Sequence, residues 1–304
     1  MPKINELDKK VLAIVGPTGS GKTAWARVLA QKFDGKLISV DSRQIYKGMD
    51  IGTAKDTSFP QDLIDIVDPS YNFTLADFQK TATELIEQYL ASKNLPILVG
   101  GTGLYLDSIV FGYVLPDLQK ESLKLREELE KLSAEEILAK LKTVDPESAA
   151  TIDPQNVRRL IRALEVSLLS SRSFSKQKRK TKSKFNTLVI GIDIPRETLY
   201  AKIDARVEKM IKDGLVEEVR NLIKKYPTDL PALNTIGYRE IIDYLKNRQT
   251  LPEAIQQIKY HTHAYVRRQM TWFRRNESIK WVKTIAEAEK LVKNFLVRQT
   301  TLDI

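Results

Sequence analysis

The chain of 304 residues contains no cysteine. Disulfides, zinc–thiolate sites, iron–sulfur clusters and a cysteine nucleophile are therefore excluded. No apolar run approaches the roughly 18 residues of a membrane-spanning helix. Residues 1–10 are polar and charged, without the apolar core of a signal peptide. A cytoplasmic protein without membrane contact is the expectation. Acid is also in deficit, with 39 Asp and Glu against 49 Lys and Arg, a net charge of +10. That deficit is local: residues 158–184 hold ten Lys or Arg and one acid, Glu165, for a net of +9. Charge gathered in one stretch suits an anionic partner, nucleic acid first. A solvated basic loop is the plainer alternative.

What is present is enough apolar residue, 42%, for one sizeable core and a smaller attached unit. Residues 11–15 form a short continuous apolar run, the pattern of a strand buried on both faces of a parallel sheet. A glycine-rich loop follows, then residues 23–33 with helical apolar spacing (Trp25, Val28, Leu29, Phe33). Strands are predicted at 36–40, 96–99 and 188–192, and a helix at 77–91. The alternation argues for an α/β fold, a P-loop NTPase-like doubly wound parallel sheet. Residues 118–142 and 157–169 read as amphipathic helices with no strand between them. The organisation expected is a first part of the core at 1–115, a mainly helical insertion at 116–185, and a second part of the core at 186–304. Helices should fill most of the chain beyond 198.

Gly16, Pro17, Thr18, Gly19, Ser20, Gly21, Lys22 and Thr23 fit G-x-x-x-x-G-K-[ST] between a strand and a helix. Glycine lets the backbone curl so that successive N–H groups face phosphate oxygens, and the helix adds its N-terminal partial charge. Lys22 supplies a full positive charge, and the Thr23 hydroxyl suits a Mg²⁺ ligand. The loop fixes what is held, not what is done with it. A nucleotide kinase or ATPase would place a metal-orienting acid at the end of a later strand, but here residues 97–99 run into Gly100-Gly101-Thr102-Gly103. The prominent acid is Asp41, at the C-terminal edge of the second strand, where an open α/β sheet lines its ligand crevice. A turn cap is the alternative role for that aspartate.

These residues resemble the tRNA dimethylallyltransferase (tRNA isopentenyltransferase) family. The resemblance rests on GPTGSGKT at 16–23, DSRQIYKGMDIGTAK at 41–55, LVGGTGLY at 98–105, RALEV at 162–166, IGYRE at 236–240 and RQMTWFR at 268–274. It implies transfer of a dimethylallyl group from dimethylallyl diphosphate to the N6 amine of the adenosine at tRNA position 37, just 3′ of the anticodon, with pyrophosphate released. The missing strand-end acid then has a reason, because no phosphoryl group moves. An aromatic amine that sheds a proton as it attacks carbon wants an acceptor, and Asp41 is the carboxylate in place. The adenosine must leave its stack to be reached.

By the same resemblance Thr18 meets the oxygen of the departing diphosphate and Arg206 clamps that group, with Lys22 and Asp41 completing the reacting centre. Asp41, Ser42, Arg43, Gln44 and Thr102 would meet the target nucleotide. Contacts to the anticodon stem-loop are implied for Arg126, for Arg158, Arg159, Leu160, Ile161 and Arg162, and for Asn234, Thr235, Ile236, Gly237, Tyr238 and Arg239. His263, Arg267, Arg268 and Gln269 complete that set. Mg²⁺ is the implied cofactor, and a monomer is expected. Read without the family, Arg206 would be one of a helix of surface charges with Lys202 and Glu208, and Trp272 and Phe273 would be core anchors. Arg267/Arg274 and Arg268/Arg275 recur every seven residues, which would place each pair on one helix face. His263 departs from the family's usual arginine, which would make a phosphate contact there weaker or pH-sensitive. Competing readings are an adenylate isopentenyltransferase acting on free AMP, ADP or ATP, a P-loop small-molecule kinase, and a nonenzymatic RNA-binding protein. The +9 stretch speaks against the first, since a mononucleotide needs no extended basic surface.

Overall fold

The computed structural model describes residues 9–115, 121–170, 174 and 183–297, apart from the side chains of 121–123. The chain folds as two units, Met1–Val110 with Lys184–Ile304, and Phe111–Ser183.

In the first unit a parallel sheet forms from β1 (Lys10–Val15), β2 (Gly35–Val40), β3 (Gln61–Asp62), β4 (Leu95–Gly100), β5 (Asn186–Ile192) and β6 (Lys280–Val282). Its order is β3-β2-β4-β1-β5-β6. The central strands are apolar without alternation because both faces are covered. Along β1, Val11, Ala13 and Val15 pack into one core with Phe78, Ala82 and Ile86 of α2 (Leu75–Ala91) and Tyr105 and Ile109 of α3 (Gly103–Val110). Leu12 and Ile14 face the other layer, with Ala26, Leu29 and Ala30 of α1 (Lys22–Lys32). Helix α2 starts two residues before the position predicted from spacing because Thr74 caps it reciprocally with Asp77. The short strands β3 and β6 were not predicted at all. Two or three residues leave no periodicity to detect.

The second unit is helical, built on α4 (Glu121–Leu129), α5 (Ala134–Val144), α6 (Pro146–Thr151) and α7 (Val157–Leu169). Ile137, Leu141, Leu160, Ala163 and Leu164 close its core. Glu165 is fully buried there and accepts from Arg126 Nη2 at 3.2 Å and Arg162 Nη1 at 2.8 Å. Of the basic stretch, residues 171–173 and 175–182 lie outside the described residues, while Lys184 sits 3.9 Å from Glu87 within the first unit.

After β5 the first unit adds α8 (Arg196–Lys212), α9 (Leu215–Lys225), α10 (Tyr238–Leu245) and α11 (Leu251–Phe273). Their apolar faces form a separate core with Ile45, Tyr46 and Met49 of the loop after β2. Helix α12 (Ile285–Val297) covers the sheet face opposite α2. Phe273 is buried, as a core anchor should be, and Trp272 is half-buried with its Nε1 donating to Asp107 at 3.0 Å. Arg274 is the C-cap of α11, still right-handed helical and donating its backbone N–H to the Met270 carbonyl at 2.9 Å, so Arg267 and Arg274 share one helix face, while Arg275 lies just past the cap.

Ile97 lies at the sheet centre with no exposed surface. Ile97→Ala should cost about 2–5 kcal/mol, whereas Thr74→Ala, which removes one exposed cap, should cost about 1 kcal/mol. Urea unfolding followed by circular dichroism separates the two, and equal losses would contradict this account of the core.

Candidate active site

The C-terminal ends of β1, β2 and β4 place three loops side by side. After β1 the chain turns through Gly19 (φ 81°) and Gly21 (φ 84°), left-handed positions that a side chain would strain, and enters α1 at Lys22. After β2 comes Asp41, whose Oδ1 accepts from the backbone of Arg43 at 2.9 Å. After β4 comes Thr102, whose hydroxyl accepts from the Ser42 backbone at 3.1 Å. Asp41 therefore caps a turn and faces the crevice at once. The two roles are not alternatives.

These loops open on a cleft of about 350 Å³ lined by Thr18, Asp41, Ser42 and Arg43, by Gly52, Thr53 and Ala54, and by Arg206 from α8. Asn234, Thr235, Ile236, Gly237 and Arg239 form another wall, with Thr262, Tyr265 and Arg268 of α11. The remaining lining is apolar: Ile203, Val207 and Met210 of α8 and Ile258 of α11. Ile203, Val207 and Met210 stand at i, i+4 and i+7, beside Arg206 on one face of α8.

Electrostatics concentrate at the loop. Burial lowers the Lys22 amine to about 8 despite the neighbouring Asp41 carboxylate, and Arg206 pushes it the same way. Arg206 is crowded enough by protein atoms to be lowered too, partly offset by Asp41, although its surface still opens into the cleft. Its Nη1 lies 3.4 Å from the Thr18 hydroxyl. Glu208 pairs instead with Lys259, so the surface ion pair considered for Arg206 does not form. The Ser20 hydroxyl is buried with no protein partner. Burial pushes Tyr265 up to about 12.

Other expected contacts fall elsewhere. Gln44 Nε2 donates to Thr53 O at 3.1 Å and so holds the cleft wall. Tyr238 is fully buried, donating to Glu218 at 2.6 Å. Gln269 is buried between the phosphate loop and the end of β4. Leu160 and Ile161 are core residues of the helical unit. Buried in this way, these four side chains cannot touch a partner directly. In the same helical unit Arg158 and Arg159 are exposed, while Arg126 and Arg162 are held by Glu165. Arg239 donates to the buried Glu240 at 2.6 Å. His263 does not line the cleft. Its ring stacks on Tyr200 at 3.9 Å, and its Nε2 lies 2.9 Å from Asp204 without hydrogen-bond alignment. Arg267 donates to the Tyr200 hydroxyl at 3.2 Å. Thr23 opens α1, partly exposed beside Lys22.

Sequence reasoning missed Tyr265, the apolar wall and Glu218. Glu218 accepts from the backbones of Asp50, Ile51 and Gly52 at 3.0, 2.7 and 3.1 Å, and so fixes the segment of chain that carries Gly52, Thr53 and Ala54 into the cleft. The helical spacing of Ile203, Val207 and Met210 around Arg206 was the one signal available.

The family model described as IPP transferase matches residues 44–276. A tRNA dimethylallyltransferase of Roseiflexus sp. (strain RS-1) is 47% identical over 275 residues, covering 87% of this chain and 90% of that one. The crystal structure of the tRNA isopentenylpyrophosphate transferase of Bacillus halodurans is similar at a TM-score of 0.74 and 37% identity, over 97% of this chain and 99% of that one. A eukaryotic dimethylallyltransferase acting on tRNA is similar at a TM-score of 0.81 and 26% identity, over 95% of this chain and 80% of that one.

With a pKa of about 8, the Lys22 amine of the free protein is charged at pH 6.5 and largely neutral at pH 9. A bound anion restores the charge. Titration calorimetry of a diphosphate ester in buffers of differing ionisation enthalpy should therefore show proton uptake at pH 9 and little at pH 6.5. Lys22→Met should abolish the uptake; uptake unchanged in that variant would place the titrating group elsewhere.

Proposed function

The chain belongs to the IPP transferase family, and from that premise we propose how its cleft divides the work of a tRNA dimethylallyltransferase. The enzyme transfers a dimethylallyl group to an adenosine of tRNA. The donor in this proposal is dimethylallyl diphosphate, and the acceptor is the N6 amine at position 37, next to the anticodon. N6 attacks C1 of the allyl group, the bond from C1 to the diphosphate oxygen breaks, and pyrophosphate leaves with both bonding electrons. The N6 proton passes to Asp41.

One observation carries the reading: Asp41 and Arg206 line the cleft beside an apolar wall, and the buried Lys22 amine lies close enough to feel both of their charges. Lys22, Arg206 and the Thr18 hydroxyl take the charge that builds on the departing oxygen, where low polarity magnifies each contact. Ile203, Val207 and Met210 give the five-carbon group an apolar seat that a nucleoside triphosphate would not need. Tyr265, with Arg268 over its ring at 5.6 Å, offers the flipped adenine a stacking edge. Exposed Arg158 and Arg159 of the helical unit suit the phosphates of the anticodon stem-loop.

Mg²⁺ fits this loop on the chemistry of its donors. Among the described residues no cluster of three acids or histidines could hold a metal, but Mg²⁺ at phosphate sites takes few protein ligands and relies on phosphate oxygens and water. The Thr23 hydroxyl would be its protein ligand, and the unpartnered Ser20 hydroxyl leaves a polar group to be met in the same loop. Bound there, the ion would neutralise pyrophosphate charge.

Asp41→Asn keeps the shape and the turn-capping oxygen but removes the proton acceptor. Its kcat with tRNA should fall about 10²–10⁴-fold, with tRNA affinity within about threefold of the parent. A kcat near that of the parent would remove Asp41 from this role.

A further inference from the structure

Gln269 falls among the RNA contacts that the family resemblance implies, yet only 6% of it is exposed. Its Oε1 accepts from the Thr18 backbone N–H at 2.9 Å, and its Nε2 donates to the Gly101 carbonyl at 2.9 Å. Both ends of the amide are dictated, because one neighbour can only donate and the other can only accept. The fit is close: a Cβ on Gly101 would lie 2.3 Å from Nε2. One neutral amide thus bridges the phosphate loop and the glycine turn after β4, across 251 and 168 residues of sequence.

The bridge changes how the loop is used. The Thr18 N–H is committed to Gln269, so it does not join the amides that face an anion. The Thr18 hydroxyl is the group left to the cleft, 3.4 Å from Arg206. Tyr265 stands one helical turn before Gln269 on α11, on the same face. The helix that lines the adenosine side of the cleft therefore also sets the peptide plane of the residue that meets the diphosphate.

We propose that Gln269 is a positioning residue for the donor, acting through the Thr18 peptide, and not a contact to RNA. This rests on the reading that the donor diphosphate occupies the loop at residues 16–23. A neutral group that accepts on one side and donates on the other is required. Glutamate at this position puts a carboxylate oxygen against the Gly101 carbonyl, two acceptors face to face. Protonated glutamic acid restores both bonds, and burial raises its pKa.

Gln269→Glu and Gln269→Met are compared with the parent from pH 6 to pH 8.5, measuring KM for dimethylallyl diphosphate, kcat and tRNA affinity. At pH 8 both variants should show a donor KM raised about tenfold or more, the scale of a lost buried hydrogen bond, with tRNA affinity within about twofold. As pH falls to 6, the Glu variant should recover relative to the parent and the Met variant should not. Weakened tRNA affinity with an unchanged donor KM would overturn the proposal, as would identical pH profiles for Glu and Met. If Glu fails to fold, the Met variant decides by its donor KM and tRNA affinity alone. Competition of inorganic pyrophosphate against the donor in the parent enzyme is the separate control. Its absence would refute the loop reading itself, whatever the Gln269 variants do.

Discussion

Setting two cations, Lys22 and the cleft-facing Arg206, beside one carboxylate is the constraint on which the rest of this structure depends. Lys22 and Arg206 are both lowered by burial, and Asp41 offsets only part of that cost. Such a site is electrically unfinished without an anion. In the proposed reaction a diphosphate completes it, most strongly when charge develops on the departing oxygen. The parallel sheet serves this arrangement directly. Three strand ends stop at one edge, and their loops carry Lys22, Asp41 and Thr102 to within reach of one another. The loop after β1 supplies amides, the turn after β2 supplies the carboxylate proposed as the base, and the glycines after β4 leave room for side chains from α11.

The helices beyond β5 finish what the sheet edge begins. Helix α8 contributes charge and grease from a single face, with Arg206 among Ile203, Val207 and Met210. That mixture suits a substrate with a polyanionic head and a short hydrocarbon tail, and it explains why the cleft is neither a plain nucleotide site nor a plain lipid site. Helix α11 lines the cleft with Tyr265 and Arg268 and bonds Gln269 into the phosphate loop. Glu218 performs the matching service for the opposite wall by capping three consecutive amides. Neither Gln269 nor Glu218 needs to touch substrate for its loss to be felt, since a displaced cleft wall misaligns the reacting atoms.

Much of this was legible in the sequence, and for a definite reason. The phosphate loop, Asp41 and the Gly100-Gly101 turn are contiguous stretches whose local chemistry is self-explanatory, and the buried strands carry their own unbroken apolar signature. Relations between distant segments were not legible. Gln269 sits in a stretch that resembles RNA-contacting sequence, but its amide is committed to Thr18, 251 residues away. Tyr238 was expected at the RNA and proves, with Glu218, to be a buried anchor for the loop at 50–52. Helix α11 closes on Arg274 as its C-cap and leaves Arg275 just beyond it, a boundary that spacing alone does not reveal. His263 was expected at a phosphate, and its ring stack on Tyr200 could not be read from spacing.

The central claim is that the loop holds a leaving group and that the bond broken is carbon to oxygen. Dimethylallyl diphosphate labelled with ¹⁸O at the oxygen bridging C1 and phosphorus tests it directly. After single-turnover transfer to tRNA, the released pyrophosphate should carry all of the label and the modified tRNA none. Pyrophosphate free of ¹⁸O, or label appearing in the RNA, would mean that a phosphorus–oxygen bond had broken and would contradict the account.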